Sequence, residues 1–160
     1  MVNAVHYAIM DSPLGSLTLA SSVQGLASVQ FGLNMPADGV IDDAANREAI
    51  EQLQEYFEGK RTHFDLPLDA HGTPFQVSVW NELLKIPYGS TRSYIDIARS
   101  LGKPGAARAV GMANHENPIA VVIPCHRVVG SDGSLTGYAG GLRIKQQLLV
   151  IEKQSQLLFT

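Results

Sequence analysis

The chain has 160 residues, 45% of them hydrophobic, and carries 15 acidic side chains against 12 lysines and arginines for a net charge of -3. One cysteine excludes an internal disulfide and a cysteine-rich zinc centre, and the five histidines His6, His63, His71, His115 and His126 are too scattered to show ligand spacing, so no metal and no cofactor are expected. No apolar stretch approaches the roughly 20 residues that span a bilayer, and the N-terminus lacks the regions of a signal peptide, so the reading is a soluble, cytoplasmic protein of one compact domain or two small ones.

Val5 to Met10, Ser16 to Ala20 and Leu26 to Phe31 read as strands separated by the turn signals Ser12-Pro13-Leu14-Gly15 and Gln24-Gly25, which predicts a small antiparallel sheet. From about Asp43 to Phe57 the apolar residues Ile50, Leu53 and Phe57 fall at helical spacing, and Gly59 closes the segment. Lys60 to Gly72 is poorly patterned and reads as a linker, dividing the chain into 1–72 and 73–160. Thr73 is an N-cap candidate with Pro74 at the first helical position, and Phe75, Val79, Trp80, Leu83 and Leu84 mark an amphipathic helix that Pro87-Tyr88-Gly89 breaks. Ser93 caps a second short helix through Leu101, with Ile97, Ala98 and Leu101 as its buried face. The turn Gly102-Lys103-Pro104-Gly105 leads into a third helix over about Ala106 to Ala113. This is the helix-turn-helix pattern, which many helical hairpins share with no ligand. The apolar run Ile119 to Ile123 reads as a buried element ending at Pro124, and Ile144, Leu148, Leu149 and Ile151 place a last helix after Gly140-Gly141.

Cys125 stands between Pro124 and His126. A lone thiol is commonly a small buried hydrophobe, but a proline that ends an apolar element and a following histidine make it the candidate nucleophile. A free thiol with a pKa near 8.5 is only about 3% thiolate at pH 7, so it needs an activating base. Adjacent residues of a regular strand point to opposite faces, so Cys125 and His126 share one site only if the backbone leaves strand geometry or a water bridges them.

The third helix offers Ala106, Ala107, Ala109 and Gly111, which have almost nothing to hydrogen-bond a base edge. A helix is about 10 to 12 Å across and the minor groove of B-DNA about 6 Å wide, so entry there requires short side chains and a widened groove. Arg108 alone is long and charged. It suits a phosphate or the gap left by an extruded base, or else it is a solvated cation on a helix whose alanines pack against the protein. Residues 1 to 70 carry ten acids and three bases, a net of -7, whereas residues 71 to 160 carry five acids and nine bases, a net of +4. An anionic partner would meet the second half, although a solvated acidic helix in the first half accounts for the asymmetry equally.

With Pro124-Cys125-His126-Arg127-Val128 downstream of Ala106-Ala107-Arg108-Ala109-Val110-Gly111 and Asn117-Pro118, the chain resembles the O6-alkylguanine-DNA alkyltransferases of the stand-alone type. The likeness runs from about Thr73 to Lys153 and takes in Tyr88-Gly89, Ser93-Tyr94 and Tyr138-Ala139-Gly140-Gly141-Leu142. It implies an α+β architecture: a small ribonuclease-H-like N-terminal domain with an antiparallel sheet, then a mostly helical domain of winged-helix or helix-turn-helix type. It implies a monomer that acts on double-stranded DNA and moves the alkyl group of a flipped O6-alkylguanine, with O4-alkylthymine as a further candidate, to Cys125 in a single turnover. On the same resemblance His126 is the base, through a water, Glu152 orients His126, Asn117 orders the turn beside the cysteine, and Tyr94 donates to the departing base. Arg108 takes the place of the extruded base, Ala106, Ala107, Ala109 and Gly111 lie on the DNA-facing helix, Val128 and Ala139 contact the base through their backbone, and Tyr138 and Gly140 complete the pocket.

Ala139 replaces a serine of some relatives, which leaves a slightly roomier pocket. Glu116 places an acid near the DNA-facing turn, where it points to solvent or weakens phosphate contacts. Two other classes fit fewer features: a Cys-His hydrolase, whose histidine ordinarily comes from a distant part of the chain, and a non-catalytic DNA-damage binder, in which the thiol is unused.

Overall fold

The computed structural model describes residues 5–138 and 140–158, with side chains through 153. The chain forms two compact units, one made by residues up to His71 together with Pro118–Val122, the other by Gly72–Asn117 and Ile123 onward.

In the first unit β1 (His6–Ser12), β2 (Gly15–Ser22) and β3 (Gly25–Phe31) form an antiparallel meander, and the two-residue β4 (Val40–Ile41) adds to β1 in parallel, giving the order β3-β2-β1-β4. The Pro13-Leu14 turn suits this hairpin because Gly15 adopts φ +95°, a left-handed conformation that costs a residue without Cβ little. Leu17, Leu19, Leu26 and Val29 join Ala8, Met10, Leu53 and Tyr56 in the core. The helix α1 (Arg47–Phe57) begins four residues later than its periodicity suggests. Asp42 to Asn46 is held as a turn, because the Asn46 amide donates to the carbonyls of His6 and Asp42 and the Asp42 carboxylate accepts from the Ala45 N–H. The buried face of α1 is Ala49, Leu53 and Tyr56.

The segment read as a linker is tied down at its far end. Leu26 N–H donates to Pro67 O at 2.9 Å and Asp69 N–H to Leu26 O at 2.7 Å. A Cβ at Gly25, whose φ is +146°, would collide with the Pro67 carbonyl, so the glycine is what lets this segment close on β3.

In the second unit α2 (Pro74–Leu83) starts on a capping box, the Thr73 hydroxyl accepting from Gln76 N–H and the Gln76 side chain from Thr73 N–H. A second capping box, Ser93 with Asp96, starts α3 (Tyr94–Ser100). Gly102, at φ +71°, turns the chain into α4 (Ala107–His115). Ile97 and Ala98 of α3 and Val110 and Ala113 of α4 are buried, whereas Leu101 is half-buried. The Trp80 indole N–H of α2 donates to the Ala113 carbonyl at 2.9 Å, so the buried tryptophan packs without leaving its donor unsatisfied. The last helix, α5 (Leu142–Leu158), buries Lys145, Leu148 and Glu152, a face that carries two charges where the apolar pattern pointed to Ile144 and Leu149.

The run Ile119 to Ile123 is buried throughout but is not a strand. Only Ile119 bridges to β3, at Val29, after which Val122 N–H donates back to Ala120 O at 2.8 Å across Val121, whose φ is +70°. A β-branched residue in that region is rare and strained. Pro124, at φ -81° and ψ 62°, then centres an inverse γ-turn in which Cys125 N–H donates to Ile123 O at 2.8 Å. Two tight turns thus stand where an apolar run suggests extension.

Candidate active site

Cys125, His126 and Arg127 form one 3₁₀ turn, followed by β6 (Val128–Val129). This resolves the strand objection raised by the adjacent Cys and His, since the backbone has left extended geometry. β6 pairs in parallel with β5 (Arg92–Ser93), Val129 opposite Ser93, so the same ladder fixes the cysteine turn and the N-cap that launches Tyr94 into α3.

The sulfur is buried, and burial pushes the Cys125 thiol up from its ordinary value, against hydrogen bonds from Asn117 and Tyr138 and the charge of Lys145. Asn117 Nδ2 lies 3.0 Å from Sγ and donates also to the Ile123 carbonyl at 2.8 Å. Asn114, which the sequence does not single out, donates to the Cys125 carbonyl at 3.3 Å. Two side-chain amides from α4 and the residues just after it therefore hold the turn.

His126 is fully buried and its Nε2 lies 2.6 Å from Glu152 Oε2. Burial, with the charges of Arg127 and Lys145, drives His126 below its ordinary value in spite of Glu152, so the ring is neutral at pH 7. Burial works against the Glu152 charge, but the hydrogen bonds and charges of His126 and Arg127 more than reverse it and hold the carboxyl down at about 2. An ionised carboxylate only accepts, so the neutral ring carries its proton on Nε2 and leaves Nδ1 bare. Nδ1 is buried and meets no protein donor among the described residues. The arrangement is that of a base kept in its proton-accepting form.

Arg127, part of the sequence motif but given no role there, completes this cluster. Its Nε and Nη2 reach Glu152 Oε1 and Oε2 at 2.9 and 3.0 Å, and Nη1 donates to Ile86 O at 2.8 Å. Glu152 Oε1 also accepts from Gly89 N–H at 3.2 Å.

A prediction about pH follows from this cluster. Glu152 has its folded value depressed from 4.5 to about 2, and buried His126 lies below 6.5, so the unfolded chain binds more protons than the folded one in acid. The stability they supply is complete above about pH 6.5 and is lost as the pH falls, Glu152 alone accounting for about 3 kcal/mol. Melting temperature should fall steadily from pH 7 to pH 3, and Glu152→Gln should flatten the limb below about pH 4.5. An unchanged acid limb in that variant would remove Glu152 as its cause.

A groove of about 730 Å³ has a lining that includes Tyr94, Ala107, Arg108, Gly111, Met112 and Thr136. Arg108 and Ala109 are exposed on α4, Ala106 is its N-cap, and a Cβ at Gly111 would rest 3.7 Å from the Tyr94 ring. Ala109 does not line the groove, and neither does Cys125; Glu116 does, and is exposed. Tyr94 accepts a hydrogen bond from the Thr136 hydroxyl at 2.9 Å, which leaves its own proton available, and the Lys145 ammonium stands 5.9 Å from the centroid of its ring. Val128 and Tyr138 are buried and Gly140 sits in the turn before α5; Ala139 lies outside the described residues.

Comparison with known proteins addresses both parts of the chain. The family model for the 6-O-methylguanine DNA methyltransferase DNA binding domain matches residues 74–154, and the one for the ribonuclease-like domain of the same proteins matches residues 5–70. A methylated-DNA--protein-cysteine methyltransferase of Methanosarcina barkeri is 51% identical over 94% of this chain and 99% of its own length. The protein of that name from Mycobacterium tuberculosis is 50% identical over 93% of each chain. Among solved structures, the crystal structure of the Mycobacterium tuberculosis O6-methylguanine methyltransferase superposes with a TM-score of 0.87 at 48% identity, covering 98% of this chain and 99% of that one. A crystal structure of Mycobacterium tuberculosis OGT in complex with DNA gives 0.88 at 48% identity, over 97% and 99% of the two chains. With a ribonuclease-like sheet unit and a helical DNA-binding unit matched along nearly its whole length, the chain belongs to the 6-O-methylguanine DNA methyltransferase family.

Proposed function

We propose that this chain repairs DNA by direct reversal, taking the alkyl group from O6 of guanine in double-stranded DNA onto Cys125 Sγ. The observation that carries the reading is the buried Cys125 beside a neutral His126 whose bare Nδ1 has its opposite nitrogen anchored on Glu152. Through a water, Nδ1 takes the thiol proton. The thiolate attacks the alkyl carbon, the S–C bond forms as the C–O6 bond breaks, and the electron pair stays on guanine. Guanine leaves poorly as an anion, and the Tyr94 hydroxyl neutralises it by giving its proton; the proton held by His126 restores the balance. Asn117 holds the sulfur, while Val128, Tyr138, Ala139 and Gly140 are assigned to the base pocket. Residues 73–160 are taken as the DNA-binding and alkyl-acceptor part and 1–72 as the ribonuclease-like part. The product is a thioether with no easy leaving group, so each molecule reacts once.

The exposed helix α4 is the element assigned to DNA, with Ala106, Ala107, Ala109 and Gly111 permitting close approach and Arg108 filling the stack behind a flipped base. Among the described residues no helix is long and apolar enough to cross a membrane. The free thiol favours the reducing cytoplasm as the site of action, and a monomer suffices for the chemistry.

Incubation of the protein with excess duplex carrying O6-methylguanine tests the reading. Intact-mass analysis should show one added methyl, localised to Cys125, and repair should stop at one equivalent. Turnover beyond one equivalent would instead mark a hydrolase, and binding without any mass gain a damage binder. Arg108→Ala should lose repair of duplex DNA by about 10-fold or more while reacting with free O6-alkylguanine at close to the normal rate. Equal losses on both substrates would assign Arg108 to the fold or the chemistry.

A further inference from the structure

Tyr94 is the first residue of α3, set behind the Ser93 capping box, and its half-buried ring lies alongside α4, where a Cβ at Gly111 would rest 3.7 Å from it. The phenol is thereby fixed on the wall of the groove. The exposed Thr136, which lines the same groove, donates its hydroxyl to Tyr94 Oη at 2.9 Å. Thr136 is itself held, since the Lys145 ammonium donates to its carbonyl at 2.8 Å. A phenol has one proton to give and lone pairs with which to receive. With Thr136 donating, a receiving position is filled and the Tyr94 proton is left for a guest in the groove. A phenolate has no proton and only accepts, so once Tyr94 has given its proton away the threonine hydroxyl is bound to be the donor of this pair. A hydrogen bond to an anion is about twice as strong as one between neutral groups. The contact therefore strengthens as the proton leaves, and an interaction that strengthens along a reaction lowers its barrier.

We propose that Thr136 is a positioning residue for the proton donor of the transfer: its hydroxyl leaves the Tyr94 proton free for the departing base and then stabilises the phenolate that remains. The inference rests on the repair reading, in which the C–O6 bond breaks, the electron pair goes to guanine and the Tyr94 proton follows it. The negative charge then sits on Tyr94 Oη, 2.9 Å from the Thr136 oxygen, until the proton that His126 took from the thiol returns to it through water. Thr136 keeps its own proton throughout and acts through Tyr94. Serine can take its place, because the hydroxyl is what the role requires, and valine cannot, although its shape is nearly the same.

Single-turnover methyl transfer from O6-methylguanine in duplex DNA, with the protein in excess, tests this in a double-mutant cycle. Thr136→Val should transfer about 10-fold more slowly, and Thr136→Ser should recover most of the rate. Thr136 is exposed, so neither substitution opens the core, and both variants should melt close to the unsubstituted protein. In Tyr94→Phe, which has no phenol oxygen to receive the bond, adding Thr136→Val should cost nothing further. A loss as large with Tyr94→Phe as without it would assign Thr136 to the shape of the groove and overturn the proposal, as would a full rate in folded Thr136→Val. Should the double variant not fold, a second substrate decides. S6-methylthioguanine leaves as an anion that sulfur stabilises and that needs less protonation, so Thr136→Val should slow its transfer by only about 2-fold. An equal loss on the two substrates would overturn the proposal. An unsubstituted protein that takes no methyl from either duplex would instead overturn the repair reading, and this inference with it.

Discussion

Cys125→Ser is expected to accept no methyl from O6-methylguanine in DNA while melting within a few degrees of the unsubstituted protein. The substitution is nearly isosteric, and Asn117, which now reaches Sγ at 3.0 Å, would find a better acceptor in a hydroxyl oxygen. The chemistry does not survive the exchange. Burial already holds the thiol above its ordinary value, and His126, itself lowered by burial, is too weak a base to strip a far less acidic hydroxyl. Intact mass after long incubation with methylated duplex checks the result, and a methyl group found on the variant would move the acceptor elsewhere in the chain.

The second large effect is on stability. Arg127→Met should cost about 3 to 5 kcal/mol, because it removes the guanidinium that bonds both Glu152 oxygens and leaves a buried carboxylate facing a neutral imidazole. For a chain of this size that is a fall of about 10 °C in melting temperature. Removing both charges behaves differently: in Arg127→Met with Glu152→Leu the unpaired charge disappears, and part of the loss should return although His126 loses its anchor. Thermal unfolding of the two variants side by side measures this. A single variant as stable as the parent would mean that the ion pair contributes nothing net to the fold.

The same cluster shows what could be read from the sequence and what could not. Thr73-Pro74 with Gln76, and Ser93 with Asp96, are local signals, since a capping box is satisfied within four residues, and both helices begin where those residues place them. The buried charges follow a longer-range logic. Lys145, Leu148 and Glu152 recur at i, i+3 and i+7 and so share one face of α5, yet a search for apolar residues passes over the two that carry charge. Arg127 was hidden for a related reason, because nothing local says that an arginine will be buried until its carboxylate, 25 residues away, is found. Asn114 looks like an ordinary helix residue until the carbonyl of Cys125 is brought to it. In the first unit Asn46 delays α1 by bonding to the carbonyl of His6, 40 residues back, which no helical periodicity encodes. Ile119 to Ile123 misled for a different reason. Burial and β-branching favour a strand, and that preference yields to the two turns that bring the chain round to Cys125.

That segment also determines how the chain can be divided. Pro118–Val122 belongs to the first unit, where Val29 N–H donates to Pro118 O at 3.0 Å and Ala120 N–H to Val29 O at 3.1 Å, yet in sequence it falls between α4 and the cysteine turn, which belong to the second. No single peptide bond can therefore be severed so that each fragment keeps its own unit whole. A cut near residue 72 would strip β3 of the partner it finds in Pro118–Ala120 and leave those residues on the other fragment. The two parts are matched by separate family models, but in the chain they are sewn together by five residues, and the stitch ends three residues before the sulfur.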